Sequence, residues 1–231
     1  MVTRDELMEL LASGFNRFIY DNFNSTESVV LTKTGTAAET KRIMELKLST
    51  GILANSTIKA RYNYNIFSPV YGSAFFRLQF SDTIDIKAFF GFKETSDSPI
   101  FGSVGSMVEY HSGVTLEPDI MTPALGTKMY FTTGDGVSQQ KVEILGIDST
   151  HDFIYKIQWN KLSTLPLPQI IPYFDEFRII TPDRVWTLNQ ANDSVLPFDT
   201  SYYVMFYLEN LSNDERNVRI KSFVYGEEYA D

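Results

Sequence analysis

Nine consecutive residues, Ile58-Lys59-Ala60-Arg61-Tyr62-Asn63-Tyr64-Asn65-Ile66, alternate between apolar or aromatic and polar side chains. Successive side chains of an extended chain point to opposite faces, so a period of two predicts a strand with one dry and one wet face. The same period recurs along the chain. Met44, Leu46 and Leu48 alternate with Glu45 and Lys47, and Phe76, Leu78 and Phe80 with Arg77 and Gln79. Phe153, Tyr155, Ile157 and Trp159 share one face, with Lys156 and Gln158 opposite; Val204, Phe206 and Leu208 share another. Val218, Ile220 and Val224 alternate with Arg219 and Lys221. Residues 84–92 are less polar, which suits a strand buried on both faces or covered by a loop.

Shorter candidate strands lie at 107–110, 129–132, 142–145, 173–180 and 185–188. Turn formers punctuate the runs: Gly102, Gly105, Gly113, Gly134-Asp135-Gly136 and Pro182-Asp183. Many short strands with this punctuation predict a sandwich or barrel. The 231 residues fit one such domain, and a 14% aromatic content suits pleated, half-buried surfaces. The Pro-rich piece 165–172 reads as a long surface loop within the domain, because strand patterns continue beyond it.

The start of the chain has a different period. Thr3 and Glu6 form a capping-box pair, followed by Leu7, Leu10, Leu11, Phe15, Phe18 and Ile19 as one helical stripe. This predicts an amphipathic helix within 1–24, packed on its own domain or on a neighbour, ahead of a β domain over 25–231.

A net charge of −9 opposes non-specific nucleic-acid binding, which needs clustered cations. There are no cysteines, and the two histidines, His111 and His151, lie 40 positions apart without a local ligand pattern for zinc. No stretch approaches the roughly 20 apolar residues of a membrane span. The acidic start, Met1-Val2-Thr3-Arg4-Asp5-Glu6, shows no export signal.

Three segments carry a family resemblance: Ala88-Phe89-Phe90-Gly91-Phe92, Tyr155-Lys156-Ile157-Gln158-Trp159 and Tyr173-Phe174-Asp175-Glu176-Phe177-Arg178-Ile179. Together they resemble the concanavalin A-like, laminarinase- and LamG-type sandwich superfamily over roughly residues 75–225. Leu196-Pro197 and the runs 202–210 and 218–225 fit its last two strands. Glu176 stands where the family's hairpin has Gly. The resemblance implies an all-β, two-sheet antiparallel jelly roll, and it speaks for architecture rather than activity.

Glycosidases of that superfamily carry Glu-x-Asp-x-x-Glu, whose carboxylates share a cleft about 5–5.5 Å apart. This sequence lacks the run. Asp82 and Asp85, Glu109, Asp175 and Glu176, and Glu227 and Glu228 read as solvated surface. His111 beside Ser112 and His151 beside Asp152 are strand neighbours that point apart, so neither forms a dyad. There is no nucleophile elbow, P-loop or dinucleotide fingerprint. Gly134-Asp135-Gly136 offers one oxygen toward calcium but reads first as a hairpin turn. No cofactor is expected, with calcium weakly supported.

Glycan recognition uses exposed aromatic faces beside hydrogen-bonding groups. The candidates are Tyr62 and Tyr64 with Asn63, Tyr203 and Tyr207 opposite the Val204 face, and Trp186. Core packing or cross-strand pairing is the alternative for each. The Tyr203-Met205-Tyr207 face stands out, because Val204, Phe206 and Leu208 can supply the core and leave it needing a cover of its own. Four stretches match the N-glycosylation acceptor pattern, at Asn24, Asn55, Asn192 and Asn210. The expectation is a non-catalytic structural or attachment protein of a virion- or surface-type assembly, partnered by other subunits and recognising glycans. The alternatives are a carbohydrate-binding module and, behind it, a glycoside hydrolase with an atypical site.

Overall fold

The computed structural model describes residues 17–21, 29–42, 45–62, 66–67, 71–82, 84–95, 97, 99, 111–118, 127–134, 139–144, 153–160, 169–174, 186–187 and 201–228. Every element among them is a strand. They are β1 (Arg17–Asp21), β2 (Val29–Lys33), β3 (Ala38–Arg42), β4 (Glu45–Ser49), β5 (Thr57–Tyr62), β6 (Ile66–Phe67), β7 (Tyr71–Phe80) and β8 (Ile86–Lys93). There follow β9 (His111–Pro118), β10 (Thr127–Gly134), β11 (Gln139–Ile144), β12 (Phe153–Asn160), β13 (Gln169–Phe174), β14 (Trp186–Thr187), β15 (Ser201–Asn210) and β16 (Asn217–Glu228). Among the described residues no helix is long and apolar enough to cross a membrane.

Two antiparallel sheets result. The first runs β14-β13-β12-β7-β16-β4-β3, and the second β11-β10-β9-β8-β15-β5-β2. The predicted alternation decides which side chains lie between them. From β5 come Ile58, Ala60 and Tyr62; from β15, Val204, Phe206 and Leu208; from β7, Phe76, Leu78 and Phe80. Phe76 is the hub, with its ring centroid 5.0 Å from Phe223, 5.9 Å from Phe92 and 6.0 Å from Phe206. Such tilted and edge-on contacts suit the aromatic quadrupole, and each ring buried contributes about 1.5–3 kcal/mol.

Four turns that pass from one sheet to the other close one end: 34–37, 50–56, 81–85 and 211–216. They are stitched together by polar groups, of which Thr50, Ser56 and Asn210 are buried. The Thr50 backbone N–H donates to the Arg216 carbonyl (2.9 Å), and the Arg216 N–H returns to Thr50 Oγ1 (3.1 Å). The Thr36 N–H donates to Ser56 Oγ (3.0 Å), and Arg216 Nε to the Ile84 carbonyl (3.0 Å). Asp82 and Asp85 belong to this stitching and not to a strand. Asp82 Oδ1 accepts from the Ile84 N–H (2.9 Å), and Asp85 takes a left-handed φ of 53° and is exposed.

Several expectations need correction. Phe18 and Ile19 do not continue a helix. They lie in β1, which pairs with Phe223–Glu227 of β16 along the flank that β4 leaves free beyond Ile220. An aromatic, β-branched run beside an open strand edge gains a full ladder of hydrogen bonds there. The rest of the predicted helix lies outside the described residues.

The alternation of β16 is also broken. A register shift between Ile220 and Ser222 turns Phe223 into the core, where period two had placed Val224 on the face of Val218 and Ile220. The nine-residue run at 58–66 is two strands. From the Met205–Arg61 pair to the Tyr202–Ile66 pair, β15 moves three residues while its partner moves five. Part of the Pro-rich piece is a strand as well, since Gln169–Phe174 pairs with β12, Pro172 opposite Tyr155. On the other side β14 pairs with Gln169 and Ile170.

Candidate functional site

The outer face of the second sheet is the unusual surface of this molecule. Register sets its side chains in rows. One row reads Arg61, Met205, Gly91, Gly113, Thr132, Lys141 across β5, β15, β8, β9, β10 and β11. The next reads Lys59, Tyr207, Phe89, Thr115, Tyr130, Glu143. On the far side of the glycine row, Tyr203 stands opposite Lys93, and Lys93 opposite His111. Tyr203 and Asn210, seven residues apart on β15, are separated by roughly 23 Å of extended chain. The Tyr203–Lys93–His111 row is therefore at the end away from the stitched turns.

Much of this face is inaccessible to water, although the core lies on the other side of the sheet. Phe89, Met205 and Tyr207 form a second hydrophobic cluster, and Lys93, His111, Thr115 and Thr132 are fully buried. Of the Tyr203-Met205-Tyr207 face, Met205 and Tyr207 are buried and Tyr203 is half-buried, and the strand of Phe89 is buried on both faces, one of the two readings its low polarity allowed.

Buried polar groups need partners. His111 Nε2 and Thr132 Oγ1 share a hydrogen bond of 2.9 Å, with the Phe89 ring edge-on to the imidazole at 6.1 Å. Lys93 donates to Thr95 Oγ1. Lys141 Nζ donates to both oxygens of Glu117 (2.8 and 2.6 Å) and lies 5.6 Å from the Tyr130 ring centroid. The hydroxyl of Thr115, between Phe89 and Tyr130 in its row, has no hydrogen-bond partner. At the centre, Gly91 and Gly113 face each other across β8 and β9. A Cβ on Gly113 would meet the Phe90 carbonyl oxygen at 2.4 Å and Phe89 Cε2 at 2.9 Å, so no side chain fits there.

The β5 flank is more open. Lys59, Arg61, Tyr203 and Glu209 are each half-buried. The Arg61 guanidinium carbon lies 4.6 Å from the centroid of the Tyr203 ring. Burial holds the Lys59 ammonium below its ordinary pKa; Asp97 opposes this, and the charges of Arg61 and Lys93 add to it. Tyr207 Oη donates to Glu209 Oε2 (3.1 Å), and Lys87 Nζ stands 3.5 Å from Glu209 Oε1.

The six candidates from the sequence are not brought together. Tyr62 is not an exposed platform: it lies wholly in the core, its ring centroid 5.2 Å from Phe223 and 6.5 Å from Phe206. It falls on the same side of β5 as Ile58 and Ala60, the inner side. Asn63 and Tyr64 lie outside the described residues. Trp186 pairs with Ile170 at the edge of the first sheet, away from the tyrosines of the second. Tyr203 and Tyr207 do share the outer face. Tyr207 is only 4% exposed and cannot offer its ring, whereas Tyr203 is half-buried.

Lys93, His111, Thr115, Thr132 and the glycine pair were missed. Their outward alternation is visible in Phe89-Gly91-Lys93 and in His111-Gly113-Thr115-Glu117, but only the pairing of β8 with β9 shows that they meet. Among the described residues no group of three or more His, Asp or Glu side chains could hold a metal. Asp135 lies outside the described residues; Gly134 ends β10 opposite Gln139 of β11, as a hairpin requires.

No protein-family model matches the chain, and no curated protein matches it in sequence. Solved structures do match in fold. The carbohydrate recognition domain of Emp47p superimposes with a TM-score of 0.61 at 14% identity, covering 94% of this chain and 98% of that one. The exoplasmic/lumenal domain of VIP36, solved with Ca2+ and Man2, gives 0.61 at 10% identity, covering 93% and 88%. A β-glucanase of Bacillus licheniformis gives 0.55 at 14% identity, covering 91% and 98%.

Proposed function

We propose that this concanavalin A-like jelly roll is a non-catalytic carbohydrate-binding domain whose ligand lies against the outer face of the second sheet, on the flank of Tyr203. The observation that carries the reading is the chemistry of that face. Its outward residues are aromatic, hydroxylic and cationic, in rows that the apolar core does not use. Saccharides need both an apolar ring face and convergent hydrogen-bonding groups, and pockets combine the two. Tyr203 offers a half-buried ring, Arg61 and Lys59 offer donors, and Glu209 offers an acceptor. Two of the matched solved structures, the Emp47p domain and the Man2-bound VIP36 domain, are themselves carbohydrate-binding, which supports the reading.

The carboxylates of this face support a role without hydrolysis. Among the described residues, β9 presents Glu117, held by Lys141 at 2.6 Å, β15 presents Glu209, beside Lys87 at 3.5 Å, and β11 presents Glu143, beside Lys128 at 3.5 Å. The assembly role drew on an amphipathic helix over 1–24. With Arg17–Asp21 built into the first sheet, nothing described favours that role.

A glycan array followed by calorimetry tests the proposal. Binding should be lost at least tenfold in Tyr203→Ala, and the bound glycan should be recovered uncleaved. An array without hits, or binding unchanged in that variant, would remove it.

A further inference from the structure

We propose that the saccharide taken by this face is anionic, with its carboxylate or sulfate received by Arg61 at the edge of the Tyr203 ring. This rests on the carbohydrate-binding reading and adds the class of ligand. The chain as a whole is acidic, with 29 Asp and Glu against 20 Lys and Arg. On this flank cations gather among the described residues. Lys59 and Arg61 project from the same side of β5, and Lys93 stands opposite Tyr203 on β8. Among the described residues, Arg61 and Lys93 bring further positive charge to bear on Lys59, and Asp97 opposes it.

Arg61 is the group with capacity to spare. Lys93 is buried and bonded to Thr95, and Lys59 has Asp97 nearby. Arg61 makes no ion pair with any described residue. Its contacts are one Nη1 donation to the Tyr62 carbonyl at 3.4 Å and the Tyr203 ring beneath it. A guanidinium has five N–H donors in a planar fork that matches a carboxylate or sulfate with two parallel bonds. Stacked on an aromatic ring, it loses hydration and is held in place, which lowers the cost of taking up an anion. An anionic sugar laid along Tyr203 would meet that fork edge-on. A neutral sugar would leave most of its donors to water.

The test compares three probes by calorimetry at low and high salt: an oligogalacturonate, a sulfated oligosaccharide and a neutral mannan oligosaccharide. The expected result is tighter binding of one or both anionic probes by about tenfold or more, weakening as salt rises. Arg61→Gln should erase the preference, and Arg61→Lys should restore it only in part, because the charge returns without the fork. Thermal melting of both variants checks that they fold. Equal affinity for neutral and anionic probes would overturn the anion inference while leaving the carbohydrate reading intact. A preference that survives in folded Arg61→Gln would overturn the role of Arg61. Failure of all three probes, together with an empty array, would sink both.

Discussion

Asn210 and Gly51 lie 159 positions apart in sequence and one hydrogen bond apart in space, with Asn210 Nδ2 donating to the Gly51 carbonyl at 3.1 Å. The same amide donates to the Asp214 carbonyl (2.9 Å), and its oxygen accepts from the Ser212 backbone N–H (3.1 Å). A single fully buried side chain thus ties the 50–56 turn to the 211–216 turn. Replacing Asn210 by Ala removes the donor of the Asp214 carbonyl and the acceptor of the Ser212 N–H, and leaves the Gly51 carbonyl with the Thr50 hydroxyl alone. An unsatisfied buried polar group costs about 1–3 kcal/mol. Asn210→Ala should therefore lose roughly 3 kcal/mol in urea unfolding, with the slope unchanged. A loss below about 1 kcal/mol would show that the turns hold without it.

Gly113 permits no side chain. The Cβ of an alanine would press on the Phe90 carbonyl, which is backbone and cannot swing away. Overpacking of this kind costs about 1–3 kcal/mol and sometimes more. Gly113→Ala should lower the melting temperature clearly, and Gly113→Val should prevent folding. An alanine variant as stable as the parent would show that β8 and β9 separate easily.

Tyr207 links stability to alkaline pH. Burial, then the charge of Glu209, then the hydrogen bond to Glu209 all push its hydroxyl pKa well above the ordinary value of 10.0. A raised folded-state pKa gives stability that is complete below the unfolded value and lost as pH climbs toward the folded one. The protein should thus weaken from about pH 10 upward. Tyr207→Phe should flatten that decline, as read by denaturant midpoints at pH 9 and 11. A decline of the same steepness in the variant would assign it to other groups.

Glu215 acts at the acid end. The Ser49 hydroxyl donates to its Oε1 at 2.7 Å, and Lys47 stands at 3.5 Å; the hydroxyl is the larger of these influences holding the carboxyl below the usual range, and burial opposes them. A depressed pKa gives stability present above the unfolded value and lost as pH falls through the folded one. The group is largely solvated, so the effect on stability is small and the titration is the better readout. In Ser49→Ala the Glu215 carboxyl resonance should titrate at higher pH. An unmoved titration would give Lys47 the leading part.

The two layers were legible because side-chain period is local. Ile58, Ala60 and Tyr62, or Val204, Phe206 and Leu208, declare their common face without knowledge of any partner. What sequence could not show was where the period breaks. The shift after Ile220 and the interruption between Tyr62 and Ile66 are set by the neighbours of β16 and β15. Phe18 and Ile19 fit a helical stripe as well as a strand, and the free flank of β16 decided between them. The candidate site was half visible. Tyr203 was identified by its alternation against Val204, but Arg61 above its ring and the glycine pair arise from pairing between distant strands. Tyr62 misled because alternation says that two faces differ, and not which of them is wet.

β16, between β7 and β4, and β15, between β8 and β5, come last among the described strands, and β1, which pairs with β16, comes first. β15 and β16 can therefore take their places only after the other described strands have been made. Until then β8 and β7 each lack one neighbour, and β1 has nothing to dock on. A stop codon before residue 201 would leave not a smaller sandwich but two half-sheets with sticky edges, a substrate for chaperones and proteases.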